Sequence, residues 1–129
     1  MDDGRYGEEV ATRYLRRRGW LPLARNWPVP GGGELDIVAL RNGILAVVEV
    51  KTRRSPEALY EPVSLAQRAR ISRGATAFVH RNPQLRRLNI RFDVILVDRS
   101  RRPSRITHQT DAFDPPGRRR EMSGSTRWS

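Results

Sequence analysis

Three side chains that can perform metal or acid–base chemistry lie near the middle of the sequence. Glu49 interrupts an apolar run, Lys51 follows two residues later, and Asp36 lies in the preceding apolar run. Lys51 is the only lysine among the 25 basic residues of the chain. Carboxylates bind hard cations such as Mg²⁺, and a lysine, unlike an arginine, loses its proton when its surroundings lower its pKa. These residue types indicate phosphate chemistry, provided that the fold brings them together.

The turn between the two apolar runs decides whether the fold brings Asp36, Glu49 and Lys51 together. Residues 34–40 and 44–51 have the composition of strands, and Asn42-Gly43 lies between them. Asn-Gly between two such runs is a strong signal for a hairpin with a two-residue loop. In that hairpin Arg41 pairs with Ile44, and this pair fixes the register of the residues further along both strands.

The resulting register brings the two acids together. It places Asp36 directly opposite Glu49, with Cβ atoms about 4.5 to 5.5 Å apart. Lys51 points to the same face as Glu49, because side chains alternate along a strand. The sequence therefore predicts one cluster of Asp36, Glu49 and Lys51. A three-residue loop would instead oppose Asp36 to Val48 and leave the two acids out of line, so the cluster depends on the turn.

Two directly opposed carboxylates repel each other, and a divalent cation reverses that cost. Mg²⁺ or Mn²⁺ at such a pair would activate water and stabilise charge at a phosphodiester. Lys51 beside the cation would position or deprotonate the nucleophile, or neutralise the transition state. The alternative is a surface salt-bridge cluster of Asp36, Lys51 and Glu49 on a solvated sheet face, which is the usual role of acids in strands.

Three further polar residues are candidates for supporting roles. Glu8 lies at the edge of the apolar stripe of the first predicted helix and can face the sheet, although an ordinary first-turn acid favoured by the helix dipole is the alternative. Glu34 shares a strand face with Asp36 and is either a neighbour of the site or a solvated surface acid. Gln67, on the second predicted helix, can reach phosphate or water, and a solvated helix face explains it equally well. His80 and His108 lack metal-ligand spacing and are predicted to be ordinary surface or loop residues.

Helical and strand patterns predict a single α/β domain with a mixed sheet. Ser64 is expected to cap the second helix, and residues 52–63 are expected to form a loop. The domain should span residues 1–113, and residues 114–129 have the composition of a basic, disordered tail. The predicted order is α-β-β-β-α-β, from residues 4–18, 20–27, 34–40, 44–51, 65–80 and 89–98, with a short edge strand within 105–113.

Composition narrows the class of partner and compartment. The chain has 129 residues, a formal net charge of +11 and a pI of about 11.5, which favour a nucleic acid as partner. It has no cysteine, which excludes disulfides and thiolate metal sites and makes a cytoplasmic location the default. No apolar run approaches the roughly 20 residues that span a bilayer, and the first 30 residues lack the apolar core of a signal peptide. No membrane association is expected.

The central stretches resemble a known superfamily. "GELDIVAL" followed by "VVEVKTRR" is similar to the PD-(D/E)XK nuclease superfamily, which has the restriction-endonuclease-like fold. More closely, the chain resembles the YraN-like family of uncharacterised bacterial proteins. That resemblance covers about residues 4–113 and includes "GEEVATRYLRRRGW", "ARNW", "RFDVILVD" and "ITHQTDAF". The superfamily core has the order α-β-β-β-α-β, which agrees with the order predicted from the patterns.

The resemblance implies a role for each central residue. It implies that Asp36 and Glu49 are metal ligands, that the Val50 carbonyl is another, and that Lys51 is the catalytic lysine. Glu8 matches the helix acid of resolvase-like members. The implied function is that of a Mg²⁺-dependent endonuclease-like hydrolase of DNA, including branched or otherwise structured DNA.

Two departures from the superfamily pattern qualify that implication. Gly33-Glu34-Leu35 precedes Asp36 where the superfamily name expects proline, which is usual for the YraN-like branch. Gln67 stands where that branch often has a lysine, which weakens any claim for a cation on the second helix. Two alternatives stay open: a nucleic-acid-binding protein that keeps the fold but has little cleavage activity, and a scaffold protein for acidic partners. The resemblance also raises a homodimer as an alternative to a monomer.

Overall fold

The computed structural model describes residues 2–55 and 62–114 of the chain. The predicted order α-β-β-β-α-β is confirmed, and a fifth strand follows it. A short 3₁₀ helix at Pro83–Leu85 connects the second helix to the fourth strand. The elements are α1 (Asp3–Arg17), β1 (Leu21–Pro28), β2 (Glu34–Arg41), β3 (Ile44–Arg53), α2 (Leu65–Arg81), β4 (Asn89–Asp98) and β5 (Arg105–Gln109).

The five strands form one mixed sheet in the order β1-β2-β3-β4-β5. All neighbours are antiparallel except β3 and β4, which are parallel because α2 carries the chain back to the start of the sheet. β1 is an edge strand and its register shifts between Pro22 and Ala24, as expected for a strand that contains proline. Neither helix of the described residues is long and apolar enough to cross a membrane.

The predicted hairpin is confirmed in both its turn and its register. Asn42 and Gly43 have φ angles of 47° and 79°, and a two-residue loop with positive φ at both positions matches the twist of the flanking strands. Arg41 pairs with Ile44, and the ladder continues in the predicted register as far as Ile37 opposite Val48. The backbone pairing of β2 and β3 ends there, one residue before the two acids.

The two helices cover opposite faces of the sheet. Side chains at odd positions of β3 face α2 and those at even positions face α1, because directions alternate along the strand. The core on the α2 side includes Leu45, Val47, Ile71, Ala75 and Phe78. The core on the α1 side includes Ala11, Leu15, Ala46, Val48 and Ile95. Glu49 therefore continues the face that α2 covers.

Local capping fixes where both helices begin. The Asp2 side chain accepts a hydrogen bond from the Arg5 amide at 2.8 Å, as predicted for one of the two N-terminal acids. Gly19, with φ +84°, follows the end of α1. At the start of α2, Ser64 Oγ accepts from the Gln67 amide at 3.1 Å while Gln67 Oε1 accepts from the Ser64 amide at 2.9 Å. The side chain of Gln67 thus belongs to a capping box.

A buried ionic network ties β5 to the sheet and to α1. Asp93 is fully buried and accepts hydrogen bonds from Arg91 Nε and Nη2, each at 2.9 Å, and from the Asp111 amide at 3.0 Å. His108 joins Asp93 Oδ2 at 2.8 Å through Nε2 and the Tyr14 hydroxyl at 3.1 Å through Nδ1. Burial works to raise the pKa of Asp93, but these hydrogen bonds hold it below its usual range. The prediction that His108 is an ordinary surface residue is therefore wrong.

The end of the described chain is packed against the core. Phe113 is buried and stacks on Phe92, with ring centroids 5.2 Å apart. Of the predicted loop at 52–63, the first two residues continue β3, and residues 56–61 lie outside the described residues. Residues 115–129 of the predicted tail also lie outside them, so the division at residue 113 stays a prediction.

Gly7 allows α1 to approach β3 closely, and this contact can be tested. A Cβ atom at Gly7 would lie 1.7 Å from Thr52 Oγ1 and 3.0 Å from Thr52 Cβ. We expect Gly7→Ala to lower the free energy of unfolding by about 1–3 kcal/mol through overpacking, although alanine is the better helix former. Gly4→Ala in the same helix is the control, because its Cβ would meet only Asp2 Oδ1 at 3.4 Å. Urea unfolding that gives equal stabilities for the two variants would contradict the contact.

Candidate active site

Asp36 and Glu49 meet where the ladder of β2 and β3 ends. Asp36 Oδ2 accepts a hydrogen bond of 2.8 Å from the amide of Val50, so a side chain takes the place of a backbone partner. The Glu49 side chain lies beside it and is 8% exposed. The direct backbone pair predicted from the register is not formed, because pairing stops at the preceding residues. The two carboxyl groups nevertheless lie close enough to interact.

The electrostatics of the pair follow from this proximity. Burial raises the pKa of Asp36, and both the negative charge of Glu49 and a hydrogen bond with its carboxyl group raise it further, to about 8. The Val50 amide and the positive charge of Arg70 oppose the shift only in part. At neutral pH the pair therefore holds a proton that an isolated aspartate would have lost.

The pair lies in an open cleft of about 870 Å³ at the end of the sheet. Residues from α1, α2 and both strands line it, so both layers of the fold contribute to one site. Among the described residues, five carboxylates and two arginines line the cleft, in a chain whose net charge is +11. They are Asp3, Glu8, Glu34, Asp36 and Glu49, with Arg53 and Arg70. The cleft is thus suited to cations, whereas the molecule as a whole is suited to polyanions.

The structure brings Glu8 and Glu34 to the same cleft, as their positions in the sequence suggested. Glu8 Oε1 accepts a hydrogen bond from Asn26 Nδ2 at 2.8 Å. Burial is the largest cause that raises the pKa of Glu8, and the charges of Asp36 and Glu34 add to it, while the hydrogen bond from Asn26 and the charge of Arg25 oppose it. These interactions place Glu8 within electrostatic reach of the central pair.

Asn26 is a site residue that sequence reasoning missed. It lies in β1 with a left-handed φ of +49°, a conformation that asparagine tolerates better than most residues. The register of β1 and β2 places it opposite Asp36, and its side chain holds Glu8. An asparagine within a strand-like stretch was the signal that could have revealed it.

Arg70 is the second residue that sequence reasoning missed. Its Nη2 donates a hydrogen bond to Glu49 Oε2 at 3.0 Å. It lies one turn after Gln67, whose side chain is used by the capping box, so the residue of α2 that reaches the cleft is an arginine. Arg70 precedes buried Gly74 by four residues and shares its face of the helix, which was the available signal.

Lys51 lies one step beyond the acids on the same face of β3. It is only 5% exposed and pairs along the backbone with Leu96 of β4. A buried lysine needs compensating partners, in contrast to the exposed arginines that dominate the surface. Lys51 is therefore almost entirely buried on the face of β3 that carries Glu49, and it is not among the described residues that line the cleft.

The carboxylate pair could hold a hard divalent cation if waters and a substrate phosphate supply the remaining ligands. Within residues 2–55 and 62–114, no group of three or more His, Asp or Glu side chains is arranged to hold a metal ion. Mg²⁺, however, is commonly held by one or two carboxylates together with waters and substrate phosphate. Asp36 and Glu49, whose mutual repulsion a cation would relieve, fit that mode, and Val50 lines the same cleft.

The fold and the cleft together define the class of protein. This is an α/β domain with an α-β-β-β-α-β core in which paired carboxylates lie where two central strands separate. The chain belongs to the family described as "Uncharacterised protein family UPF0102", whose model matches residues 7–97. The YraN-like resemblance is thereby confirmed. The matched range contains Glu8, Asp36, Glu49, Lys51 and Arg70.

Curated bacterial relatives match most of the chain. A UPF0102 protein of Syntrophotalea carbinolica is 44% identical over 116 residues, which cover 88% of this chain and 93% of the relative. One from Paramagnetospirillum magneticum is 39% identical over 106 residues, covering 80% and 82%. One from Flavobacterium psychrophilum is 35% identical over 115 residues, covering 87% and 93%. The family match thus covers nearly all of the α-β-β-β-α-β core, and the names of these relatives specify no activity.

The raised pKa of Asp36 determines how the stability of the fold should depend on pH. The folded-state pKa lies above the ordinary value of 3.8, so stability falls as the pH rises from about 4 to about 8. Asn mimics the protonated acid. We therefore expect the stability of Asp36→Asn relative to wild type to increase by roughly 1–3 kcal/mol between pH 5 and pH 8.

Unfolding titrations at both pH values, without divalent cations, measure this difference. Glu34→Gln is the matched control, because Glu34 lines the same cleft but is exposed. It should leave the pH dependence of wild type nearly unchanged. A stability difference between Asp36→Asn and wild type that is independent of pH would show that the pair does not retain its proton.

Proposed function

We propose that this protein is a divalent-cation-dependent nuclease that hydrolyses phosphodiester bonds of DNA. The observation that supports the proposal best is the Asp36–Glu49 pair at the end of the β2–β3 ladder. Holding the two carboxyl groups close together raises the pKa of Asp36 and is energetically unfavourable. Such an arrangement is not expected of residues with a purely structural role. The resemblance to the PD-(D/E)XK superfamily supplies the class of reaction, and the site supplies the residues for it.

The chain's own residues divide the work of such a reaction. Asp36, Glu49 and the Val50 carbonyl would hold Mg²⁺ or Mn²⁺, which when bound lowers the pKa of water and stabilises charge on the phosphodiester. Lys51 would hold the attacking water in place or move a proton from it, and its positive charge would offset charge that develops on phosphate. Glu8, oriented by Asn26, would hold water at the other side of the cleft.

The substrate class follows from charge. A net charge of +11 attracts polyanions, while five carboxylates in the cleft would repel a phosphate unless cations intervene. A single small domain can contact only part of a duplex. This supports branched or otherwise structured DNA as the substrate and a homodimer as the active assembly.

Cleavage assays with charge-removing variants test the proposal. We expect Asp36→Asn and Glu49→Gln to lower the cleavage rate of linear, single-stranded and four-way-junction DNA by roughly hundredfold or more, because the cation contributes several kcal/mol to transition-state stabilisation. Glu8→Gln should lower it less. Glu9→Gln is the matched control, since Glu9 is the adjacent helix acid and pairs with Arg25 outside the cleft. Equal residual activity in all proteins would mean a contaminating nuclease and end the proposal.

Lys51 provides a sharper test of mechanism. If it moves a proton, Lys51→Arg should lower the rate by about a hundredfold, because an arginine stays protonated and general acid–base catalysis typically contributes that much. Lys51→Met should have a similar effect. A nearly silent Lys51→Arg combined with an inactive Lys51→Met would assign only a positive charge to this position. Circular dichroism and melting curves control for folding of these buried substitutions.

The second candidate function is a nucleic-acid-binding protein with little or no cleavage activity. The excess of arginine over acid favours it independently of the cleft. Both candidates predict that the affinity for DNA falls as salt increases, because each phosphate contact releases counterions. Affinity measured between about 50 and 200 mM salt should fall by roughly a thousandfold for six or more contacts. An affinity that does not depend on salt would contradict both, and salt-dependent binding with no cleavage would favour the second.

A further inference from the structure

We propose that Arg70 is an exchangeable counterion of the carboxylate pair. In this exchange, a divalent cation displaces the Arg70 guanidinium from Glu49, and the released guanidinium then binds the phosphate of the substrate. The inference rests on the proposed function, because it concerns loading of the same site. It assigns to Arg70 two successive partners, a carboxylate before cation binding and a phosphate after it.

The hydrogen bond between Arg70 and Glu49 puts the guanidinium in competition with a divalent cation that binds Glu49. Arg70 Nη2 lies 3.0 Å from Glu49 Oε2, and the two side chains are 27% and 9% exposed. A partly buried ion pair of this kind is screened less by water than a surface pair. A cation that takes Glu49 Oε2 as a ligand must therefore compete with the guanidinium for that oxygen, and a cation at Oε1 would still lie beside the guanidinium charge. The two positive charges also repel each other at this short range.

The packing around Arg70 keeps the side chain at the cleft even when Glu49 is taken. A Cβ atom at Gly33 would lie 2.3 Å from Arg70 Cδ and 3.2 Å from its Cγ, so the aliphatic stem rests against this glycine. Gly74 in turn lets α2 pack closely on Leu35 and Val29, since its Cβ would lie 2.6 and 2.8 Å from their side chains. The stem is thus held against Gly33 at the wall of the cleft, which keeps the guanidinium close to the site after it leaves Glu49.

The guanidinium has the donors that a phosphate requires. Among the described residues, Arg70 Nε is buried and has no hydrogen-bond partner, while Nη2 donates to Glu49. A guanidinium offers five N–H donors in a planar fork that suits phosphate oxygens, and it stays charged at any pH at which the protein folds. Displacement from Glu49 would free one edge of this fork. Arg70 would then supply positive charge where the acidic wall of the cleft would otherwise repel DNA.

Exchange and a purely structural ion pair predict opposite effects on cation binding. If the contact only holds α2 against β3, its loss disturbs the carboxylate pair and cation binding weakens or stays unchanged. If Arg70 competes with the cation, its loss leaves Glu49 available and cation binding becomes stronger. Substrate affinity should fall under exchange, because the phosphate loses its guanidinium partner.

The test measures Mn²⁺ binding to the full chain, by electron paramagnetic resonance and calorimetry, in the absence of DNA. We expect Arg70→Gln to bind Mn²⁺ about tenfold more tightly than wild type, since one neighbouring charge typically shifts a site by a factor of that order. Arg73→Gln is the matched control. Arg73 carries the same charge one turn further along α2, and its Nε donates to the Pro30 carbonyl at 2.8 Å outside the cleft. That variant should bind Mn²⁺ like wild type.

A second measurement tests whether the released Arg70 guanidinium binds the phosphate of the substrate. With Ca²⁺ in place of Mg²⁺, binding of four-way-junction DNA should be weakened more by Arg70→Gln than by Arg73→Gln. If Arg70→Gln does not fold, as judged by circular dichroism, Arg70→Lys replaces it. Lysine keeps the charge but loses the fork, so its hold on Glu49 weakens and Mn²⁺ should still bind more tightly than to wild type.

The outcomes separate this inference from the proposed function. Mn²⁺ binding and DNA cleavage by wild type, with equal or weaker Mn²⁺ binding by the folded Arg70 variant, overturns the exchange and leaves the nuclease proposal intact. Failure of both proteins to bind Mn²⁺, with cleavage unaffected by Asp36→Asn, overturns both. Tighter Mn²⁺ binding by the Arg70 variant, abolished by adding Glu49→Gln, supports the exchange.

Discussion

The repulsion between the Asp36 and Glu49 carboxyl groups is the interaction on which the rest of the site depends. The hairpin brings the two acids together at the end of a ladder, where no backbone partner separates them. The fold offsets their repulsion in three ways: through the Val50 amide, through the Arg70 guanidinium and through a proton retained on Asp36. Each is a form of positive charge that a divalent cation can replace. The closeness of the two acids therefore limits the stability of the fold.

The remaining elements converge on this pair from both faces of the sheet. α1 contributes Glu8 from one side, held by Asn26 of β1, and α2 contributes Arg70 from the other. Close approach at glycines makes both contributions geometrically feasible, because Gly7 seats α1 on β3 and Gly33 makes room for Arg70. The five-stranded sheet thus supports the site, while the polar side chains around the carboxylate pair come from separate elements. Such support from rigid elements is what a preorganised site requires.

The net charge of the whole chain and the charge of the cleft have opposite signs. Most of the chain is strongly basic, yet the cleft is lined mainly by carboxylates. One small chain therefore combines a basic overall composition with an acidic cleft. Membership of the UPF0102 family assigns no reaction, so a function has to be inferred from the side chains of the cleft.

Features that follow local rules could be predicted from the order of the amino acids alone. Asn42-Gly43 specified the turn and with it the register, Ser64 specified the start of α2, and the helical stripe put Glu8 where it can face the sheet. These follow from nearest neighbours along the chain. The element order and the closeness of Asp36 to Glu49 could therefore be predicted, even though the ladder ends one pair earlier than expected.

The residues from distant elements that complete the site are set by tertiary packing. Arg70, rather than Gln67, reaches Glu49 because the crossover of α2 and the space at Gly33 set how far each side chain extends. His108 contacts Asp93 because β5 pairs with β4, which no local pattern specifies. Hydrogen bonds between residues far apart in sequence depend on packing of whole elements. Residue spacing encodes such packing only indirectly, and that is why these contacts escaped prediction.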